Sequence, residues 1–491
     1  MAKRKSQQSA PAKGAAAAPA KRARFDNPPL KAAKPKVKAA PAPAPKEAPT
    51  PDAPKRFVVA AGSYERLLYG LECTFEPSSS SDSEPYSLSV APIFSFPAHL
   101  SSLRTVAASV LPSPGTGTER KVGGKYLVSG GTDEIIKVWD LRRRKEVGSL
   151  EGDTTGTLTC MRFVPQRNML LAASSDSTIS LYRVRDWVLL RGLKGHKGRV
   201  NSIDAHPDGR VALSVGQDKM LRMWDLVAGK SVATMRLGGE GDVVRWNTNG
   251  TKFAVICGSD LTVFGIDMSI HHVLSAPSRF HDVRFCYFPL DAQDPNQKEY
   301  LFVGCEDGKV RVFDVSNPNP IRVDEDTDLS EVELPKMDPV AMLVGHSNRV
   351  KQMDLLEVAL PSTSSSAETQ STVVLTTISS DGKIHLYDLA RISSPAAPAS
   401  KKGKGKAADG DAAELKEVQP SAVYDTDKTR LTCVCAIGMV ERKGGAAAGG
   451  DDEDSDDDDE EDSDEETEEE ELLGSADEGE FEGIEDEDEE E

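Results

Sequence analysis

The sequence predicts an all-β fold: a ring of seven four-stranded blades closed by the last strand of the chain. Three observations predict it. Five stretches place an aspartate six residues ahead of an aromatic, namely Asp133 and Trp139, Asp176 and Tyr182, Asp218 and Trp224, Asp307 and Phe313, and Asp381 and Tyr387. Between the two residues the apolar side chains alternate with period 2, and a second apolar run precedes each aspartate, so each copy reads as a hairpin turning at Asp. The copies recur roughly every 40 residues, apart from two insertions.

The units fall at 98–151, 156–193, 196–237, 241–276, 281–344 and 345–424. The unit at 241–276 is degenerate, because "GSDLTVFGIDM" lacks the usual spacing. "FVVAAGSYERLLYGLECT" (57–74) aligns with the inner hairpins but has no first strand before it. "TRLTCVCAIG" (429–438) resembles the first strands "GTLTCMRFV" and "GRVNSIDAH", and no hairpin follows. Residues 429–438 therefore complete the blade begun at 57, which makes seven blades and leaves no free sheet edge at the join. A period of about 40–45 residues with four strands per unit and a Trp-Asp signature marks a WD-repeat propeller.

One blade carries the set His196, Ser214, Asp218 and Trp224, and another carries His346, Thr377, Asp381 and Tyr387. In the WD pattern such a set is a hydrogen-bonded network that locks a blade, which supplies partners for a buried His and Asp. A catalytic His/Ser/Asp reading competes with this. The same residue types recur blade by blade, as scaffold residues do and a single active site does not. No GxxxxGK[ST], GxSxG or HExxH occurs, and His271–His272 reads as a core or solvated pair rather than metal ligands. The expectation is a chain that is not an enzyme, with no cofactor and no metal.

Charge divides the chain. Residues 1–56 carry 14 Lys+Arg against 3 Asp+Glu, and residues 451–491 carry 29 acidic and no basic residues. Taking that +11 and −29 from the −21 of the whole chain leaves −3 on the body between them. The expected organisation is a disordered basic arm (1–56), the propeller (57–440) and a disordered acidic tail (441–491), with disordered loops near 76–85, 316–338, 361–370 and 391–414. No apolar stretch approaches a membrane span, and the basic start has no apolar core of a secretory signal. The seven cysteines form no CxxC pair and lie mostly in strand-like runs, which reads as buried reduced thiols. Short basic clusters in the arm, Lys3, Arg4 and Lys5, then Lys21, Arg22 and Arg24, read as nuclear import signals. Ser455 and Ser463 stand ahead of dense Asp/Glu, a context for acidophilic kinases.

"AAGSYERLLYGL", "LKGHKGRVNSIDAHPDGRVALSVGQDKMLRMWDLVAGK" (193–230), "GHSNRVKQM" and "RLTCVCA" together resemble the PAK-interacting-protein family, whose fungal members are the maintenance-of-killer WD-repeat proteins. The resemblance covers roughly 57–440. It implies a nucleolar scaffold in assembly of the large (60S) ribosomal subunit. The implied partners are pre-60S particles, assembly factors and pre-rRNA itself, with the protein a monomer within a large assembly and no membrane involved. It also implies, for animal members, a negative effect on p21-activated kinase. The acidic C-terminus departs from the lysine-rich tail of animal members, which puts tail-dependent contacts in question. A chromatin or histone-binding scaffold is the alternative, since the acidic tail could hold basic proteins of either kind; a merely solubilising tail is the plainer reading. On the first strands, Arg199, Arg349 and Arg430 align on one position, Lys351 follows its valine, and Arg104 is equivalent to Lys351. By the resemblance this position opens onto the top face near the channel. It suggests a basic rim for phosphate or an acidic partner, against the plainer reading of arginines paired with carboxylates such as Glu65 or Asp381.

Overall fold

The computed structural model describes residues 53–77, 86–110, 121, 123–151, 155–288, 298–316, 320–321, 336–361, 370–393 and 415–439. The basic arm, the acidic tail and the greater part of the four expected loops lie outside these residues.

Seven antiparallel sheets are arranged as blades. Blade 1 is Leu431–Met439, Arg56–Ser63, Leu67–Pro77 and Tyr86–Pro97, from the inner strand outward. The inner strands of blades 2 to 7 are Leu103–Val110, Leu158–Val164, Val200–Ala205, Val243–Trp246, Phe280–Phe288 and Val350–Ala359. Blade 1 takes its inner strand from the other end of the sequence, with Phe57 opposite Gly438 and Ala61 opposite Val434. The ring is closed by backbone pairing between segments more than 360 residues apart. Residues 241–276 form a complete blade despite their missing spacing, since Lys252–Cys257 and Asp260–Gly265 pair in register without the Asp–aromatic set.

The Asp–aromatic spacing has a local cause. At four of the five turns one carboxylate oxygen accepts the N–H two residues on: Thr178 for Asp176 (2.8 Å), Met220 for Asp218 (3.1 Å), Lys309 for Asp307 (3.2 Å) and Lys383 for Asp381 (3.0 Å). The residue after the aspartate takes a left-handed backbone, at φ 75° for Ser177, 60° for Lys219 and 83° for Gly382. The aspartate thus makes the turn and keeps its second oxygen for other work.

Buried apolar side chains group into clusters, each shared by two neighbouring blades. One joins Phe57, Val59 and Leu71 of blade 1 to Leu356 and Val358 of blade 7, and another joins Leu158 and Met161 of blade 3 to Val128 and Val138 of blade 2. Gly130, at the end of a second strand, marks how close blades come: a Cβ there would lie 2.7 Å from Leu158 of the next blade.

The expected loops are shorter than their composition suggests. Glu76 and Pro77 continue a strand, paired to Ser87 and Tyr86. Ile321 and Lys336, inside the 316–338 insertion, bridge Ile270 and Val273 on the outer strand of blade 5. Leu360 N–H donates to the Gln370 carbonyl, so the 361–370 loop closes at its base. Arg391 to Ser393 end a short helix, Ala390–Ser393, whose Ile392 is buried between blades 6 and 7. Beyond the same insertion, Lys416–Val418 adds a fifth, parallel strand to blade 6. In each case an apolar side chain or an open sheet edge captures a few residues of a polar insert.

Phe57 is fully buried in the cluster that joins blades 7 and 1. Phe57→Ala should therefore lower unfolding free energy by about 3–5 kcal/mol, read as a shifted midpoint in urea titration.

Candidate docking faces of the propeller

Three blades carry the same buried polar chain. In blade 4, His196 Nδ1 lies 2.9 Å from Asp218 Oδ2, its Nε2 lies 2.7 Å from Ser214 Oγ, and Trp224 Nε1 donates to that same Oγ at 2.7 Å. Blade 2 repeats it with His99, Asp133 (2.9 Å), Ser129 (2.8 Å) and Trp139 (2.8 Å). The sequence reading missed this third set because His99 follows Ala98 instead of the Gly that precedes His196 and His346. Its signal was the serine four residues ahead of Asp133, as Ser214 stands ahead of Asp218. In blade 7, His346 reaches Asp381 (3.3 Å) and Thr377 (2.8 Å), while the Tyr387 hydroxyl turns away to donate to the Val344 carbonyl at 3.0 Å.

The donors order the chain. Trp224 N–H can only donate, so Ser214 Oγ accepts from it and turns its own proton to His196 Nε2, and Nδ1–H then donates to Asp218. The imidazole is neutral. Burial holds His99 and His196 below the ordinary histidine range, against the pull of their aspartates. Burial alone would raise Asp218, but the Lys197 N–H and His196 outweigh it and hold the carboxyl low. The connectivity is that of a hydrolase triad, but Ser214 is 0% exposed and its oxygen is already an acceptor for tryptophan. No substrate carbonyl can reach it, so the set is structural.

The inner strands share one irregularity. Pairing with the second strand skips Arg104, Thr159, Asn201, His281, Lys351 and Thr432, giving a bulge at the same place in six blades. Four of these residues reach an acceptor or acid nearby: Thr159 the Val200 carbonyl (2.6 Å), Asn201 Glu240 (2.8 Å), Thr432 the Leu103 carbonyl (2.9 Å) and His281 Glu306. Arg104 and Lys351 are the cationic pair, on either side of Thr432 at the closing seam. Among the described residues, neither has a carboxylate within 4.0 Å.

The five rim residues do not form one group. Arg199 is tied to Asn201 (2.7 Å) and Glu240 (3.2 Å) in blade 4. Arg349 contacts Ser380 (3.2 Å) and, at 3.7 Å, Glu306, not Asp381. Arg430 lies over the Tyr64 ring at 5.6 Å, and only its backbone N–H meets Glu65 (3.0 Å). Lys351 is half-buried rather than on the surface. Burial, then repulsion from Arg349, Arg104 and Arg430, pulls its ammonium below the ordinary lysine range, with Asp242 opposing. Arg104, Arg349 and Arg430 therefore surround Lys351 with like charge where the inner strands begin, met by a carboxylate only at Arg349 among the described residues. Tyr64 (53% exposed) and Leu100 (84% exposed) stand beside it, the latter's carbonyl accepting from Arg66 at 3.5 Å.

At the opposite end of the inner strands a cavity of about 560 Å³ opens between the turns Val164–Asn168, His206–Asp208 and Trp246–Asn249. Arg162, Arg245, Arg284 and Lys121 share its walls with Asp204 and Asp354. The sequence reading named none of them: Arg162 and Arg245 are lone charges in their strands, and nothing local shows that Arg284, Lys121, Asp204 and Asp354 meet them. His272 is buried inside the strand Ile270–Ser275, not beside it, and its ring is pushed down to about 4 by burial, then Lys252 and His271. Among the described residues no group of three His, Cys, Asp or Glu could hold a metal ion. Lys3, Arg4, Lys5, Lys21, Arg22, Arg24, Ser455 and Ser463 lie outside the described residues.

Residues 91–140, 144–183 and 187–225 match the family described as WD domain, G-beta repeat. Each match takes the outer strand of one blade and the first three strands of the next. The chain is 31% identical over 250 residues to the p21-activated protein kinase-interacting protein 1-like protein of Gallus gallus, covering 51% of this chain and 61% of that protein, under two thirds of its length. It is 28% identical over 363 residues to Protein MAK11 of Saccharomyces cerevisiae, covering 68% and 78%. It is 28% identical over 265 residues to Shk1 kinase-binding protein 15 of Schizosaccharomyces pombe, covering 53% and 66%.

His385, stacked on His346 at 3.8 Å, is pushed down to about 3, first by burial and then by that neighbour. Its folded value lies below the unfolded value, so falling pH protonates the unfolded chain first. Stability should drop as pH falls from 7 to 5, with His385 contributing up to about 2 kcal/mol of the loss. His385→Phe should flatten that dependence in denaturant titrations at the two pH values.

Proposed function

Because the chain belongs with the WD-repeat relatives that include the p21-activated-kinase-interacting proteins and MAK11, we propose that it is a non-enzymatic scaffold for assembly of the large ribosomal subunit. It works in the nucleolus and docks pre-60S particles through the face where its inner strands begin. One observation carries the reading: Arg104, Arg349 and Arg430 converge on Lys351 from three adjacent blades at the closing seam, and of the four only Arg349 has a carboxylate within 4.0 Å among the described residues, Glu306 at 3.7 Å. A site that leaves cations under-neutralised gains most from an incoming phosphate or carboxylate, and arginine gives it two-pronged contacts. Tyr64 and Leu100 beside the cluster add the apolar surface that protein partners use. The basic clusters of residues 1–56 support nuclear entry.

A second reading rests on the names of the relatives, several of which are kinase-interacting or kinase-binding proteins. In that reading the same face binds p21-activated kinase. Sedimentation separates the two: a scaffold of the first kind travels with pre-60S particles, one of the second with the kinase.

The triple replacement Arg349→Glu, Lys351→Glu and Arg430→Glu should abolish association with pre-60S particles in gradient sedimentation. The thermal transition should stay within the span of surface substitutions, about ±0.5 kcal/mol, or rise as the self-repulsion is removed. Normal particle association would place the docking surface elsewhere. A collapsed transition would show these residues to be structural.

A further inference from the structure

The cavity at the lower end of the channel is walled by arginines whose donors are only partly met. Arg162, Arg245 and Arg284 stand on the inner strands of blades 3, 5 and 6, and each guanidinium brings five N–H donors. One oxygen of each carboxylate nearby takes a backbone N–H, Asp204 from Trp246 (2.8 Å), Asp282 from Met353 (2.9 Å) and Asp354 from Ala436 (2.8 Å), while Asp354 Oδ1 also takes Lys121 and Asp282 Oδ1 has no hydrogen-bond partner among the described residues. Their approaches to the arginines stay at 3.5–3.6 Å. The direct acceptors of the arginines are a hydroxyl and carbonyls: Ser202 and Val244 for Arg245, Val283 for Arg284. Arg162 NH2 and Arg245 Nε are buried with no hydrogen-bond partner among the described residues. Arg245 is pulled down to about 10 by burial, then by Arg162 and Arg284, whereas Arg162 is held above the ordinary arginine range, against burial, by Cys160, Asp204, Asp354 and Asp282.

The chain supplies an anion at this mouth. The inner strand of blade 1 runs down to Met439, with Ile437 in the cavity wall and Gly438 N–H bonded to the Lys121 carbonyl at 2.9 Å. Eleven residues, "VERKGGAAAGG", then lead to the acidic run that starts at Asp451. At full stretch they reach about 36 Å, enough to return the run to the cavity. A tethered segment meets its site at an effective concentration in the millimolar range.

We propose that the lower end of the channel is a carboxylate-binding site and that its occupant is the acidic segment 451–491 of the same chain. Carboxylates of the tail take the under-bonded arginine donors, and the tail screens this end of the ring from other acidic polypeptides.

The test uses the full chain. A fluorescent peptide of residues 451–466 is titrated, with anisotropy read at low salt, against the native chain and against a full-length variant whose tail Asp and Glu are replaced by Asn and Gln. The neutral-tail variant should bind the peptide at least about tenfold more tightly than the native chain, and Arg162→Gln in that background should reverse the gain. Where that variant does not fold, the native chain decides: carbodiimide crosslinking followed by mass spectrometry should join tail carboxylates to Lys121. Equal binding by the native and neutral-tail chains, or no tail crosslink to Lys121, overturns the proposal. So does a peptide that is insensitive to Arg162→Gln but lost on Arg349→Glu with Arg430→Glu, which would seat the tail on the opposite face and leave the docking reading to its own experiment.

Discussion

The inner strands of the ring are edges that no further strand covers, and their buried backbone N–H groups must still find acceptors. The chain answers with side chains of the preceding blade. Thr105 accepts Met161 N–H, Ser202 and Asp204 accept those of Val244 and Trp246, Asp282 that of Met353, and Gln352 and Asp354 those of Val434 and Ala436. Four of the seven junctions between blades are fixed this way at the axis, while the shared apolar clusters hold the blades further out. Carboxylates in a channel look like a binding site for cations. Here they are backbone acceptors, and the arginines that balance their charge are the groups left with donors to spare.

The same constraint separates the two ends of the ring. Where the inner strands begin, a bulge frees one residue in six of the seven blades, and Thr159, Asn201 and Thr432 use it to reach the adjoining blade. Arg104 and Lys351 replace that local bond with a charge, on both sides of the strand that closes the ring. Where the strands end, the turns spread apart and leave the arginine-walled cavity. One end is basic because two bulges carry cations, the other because its acids are already engaged.

The blade count, the closing strand and the two His-Asp sets were readable because they repeat: a turn aspartate and an aromatic six residues later have the same job in each hairpin. His99 escaped because Ala98 replaces glycine, though its serine, aspartate and tryptophan kept their spacing. The rim was readable in part. Aligning first strands found Arg104 and Lys351, but only the register of the paired strands shows that both sit on bulges, and only three-dimensional neighbours show Arg199 neutralised by Glu240. Arg162, Arg245 and Arg284 could not be found from the sequence. Arg162 and Arg245 are each one charge in an apolar strand, Arg284 shares its strand with Asp282, and their meeting depends on ring closure, which no local pattern encodes.

The insertions reach backward around the ring. Ile321 and Lys336, leaving blade 6, bridge the outer strand of blade 5, and Lys416–Val418, leaving blade 7, runs alongside the outer strand of blade 6. An uncovered outer strand is a template on which a foreign chain can add itself by backbone pairing alone, whatever its sequence. On this arc the template is already occupied by the chain's own backbone. Visitors approaching from the side therefore meet side chains instead of a ladder of unpaired amides, and lateral recruitment by strand addition is confined to the rest of the circumference.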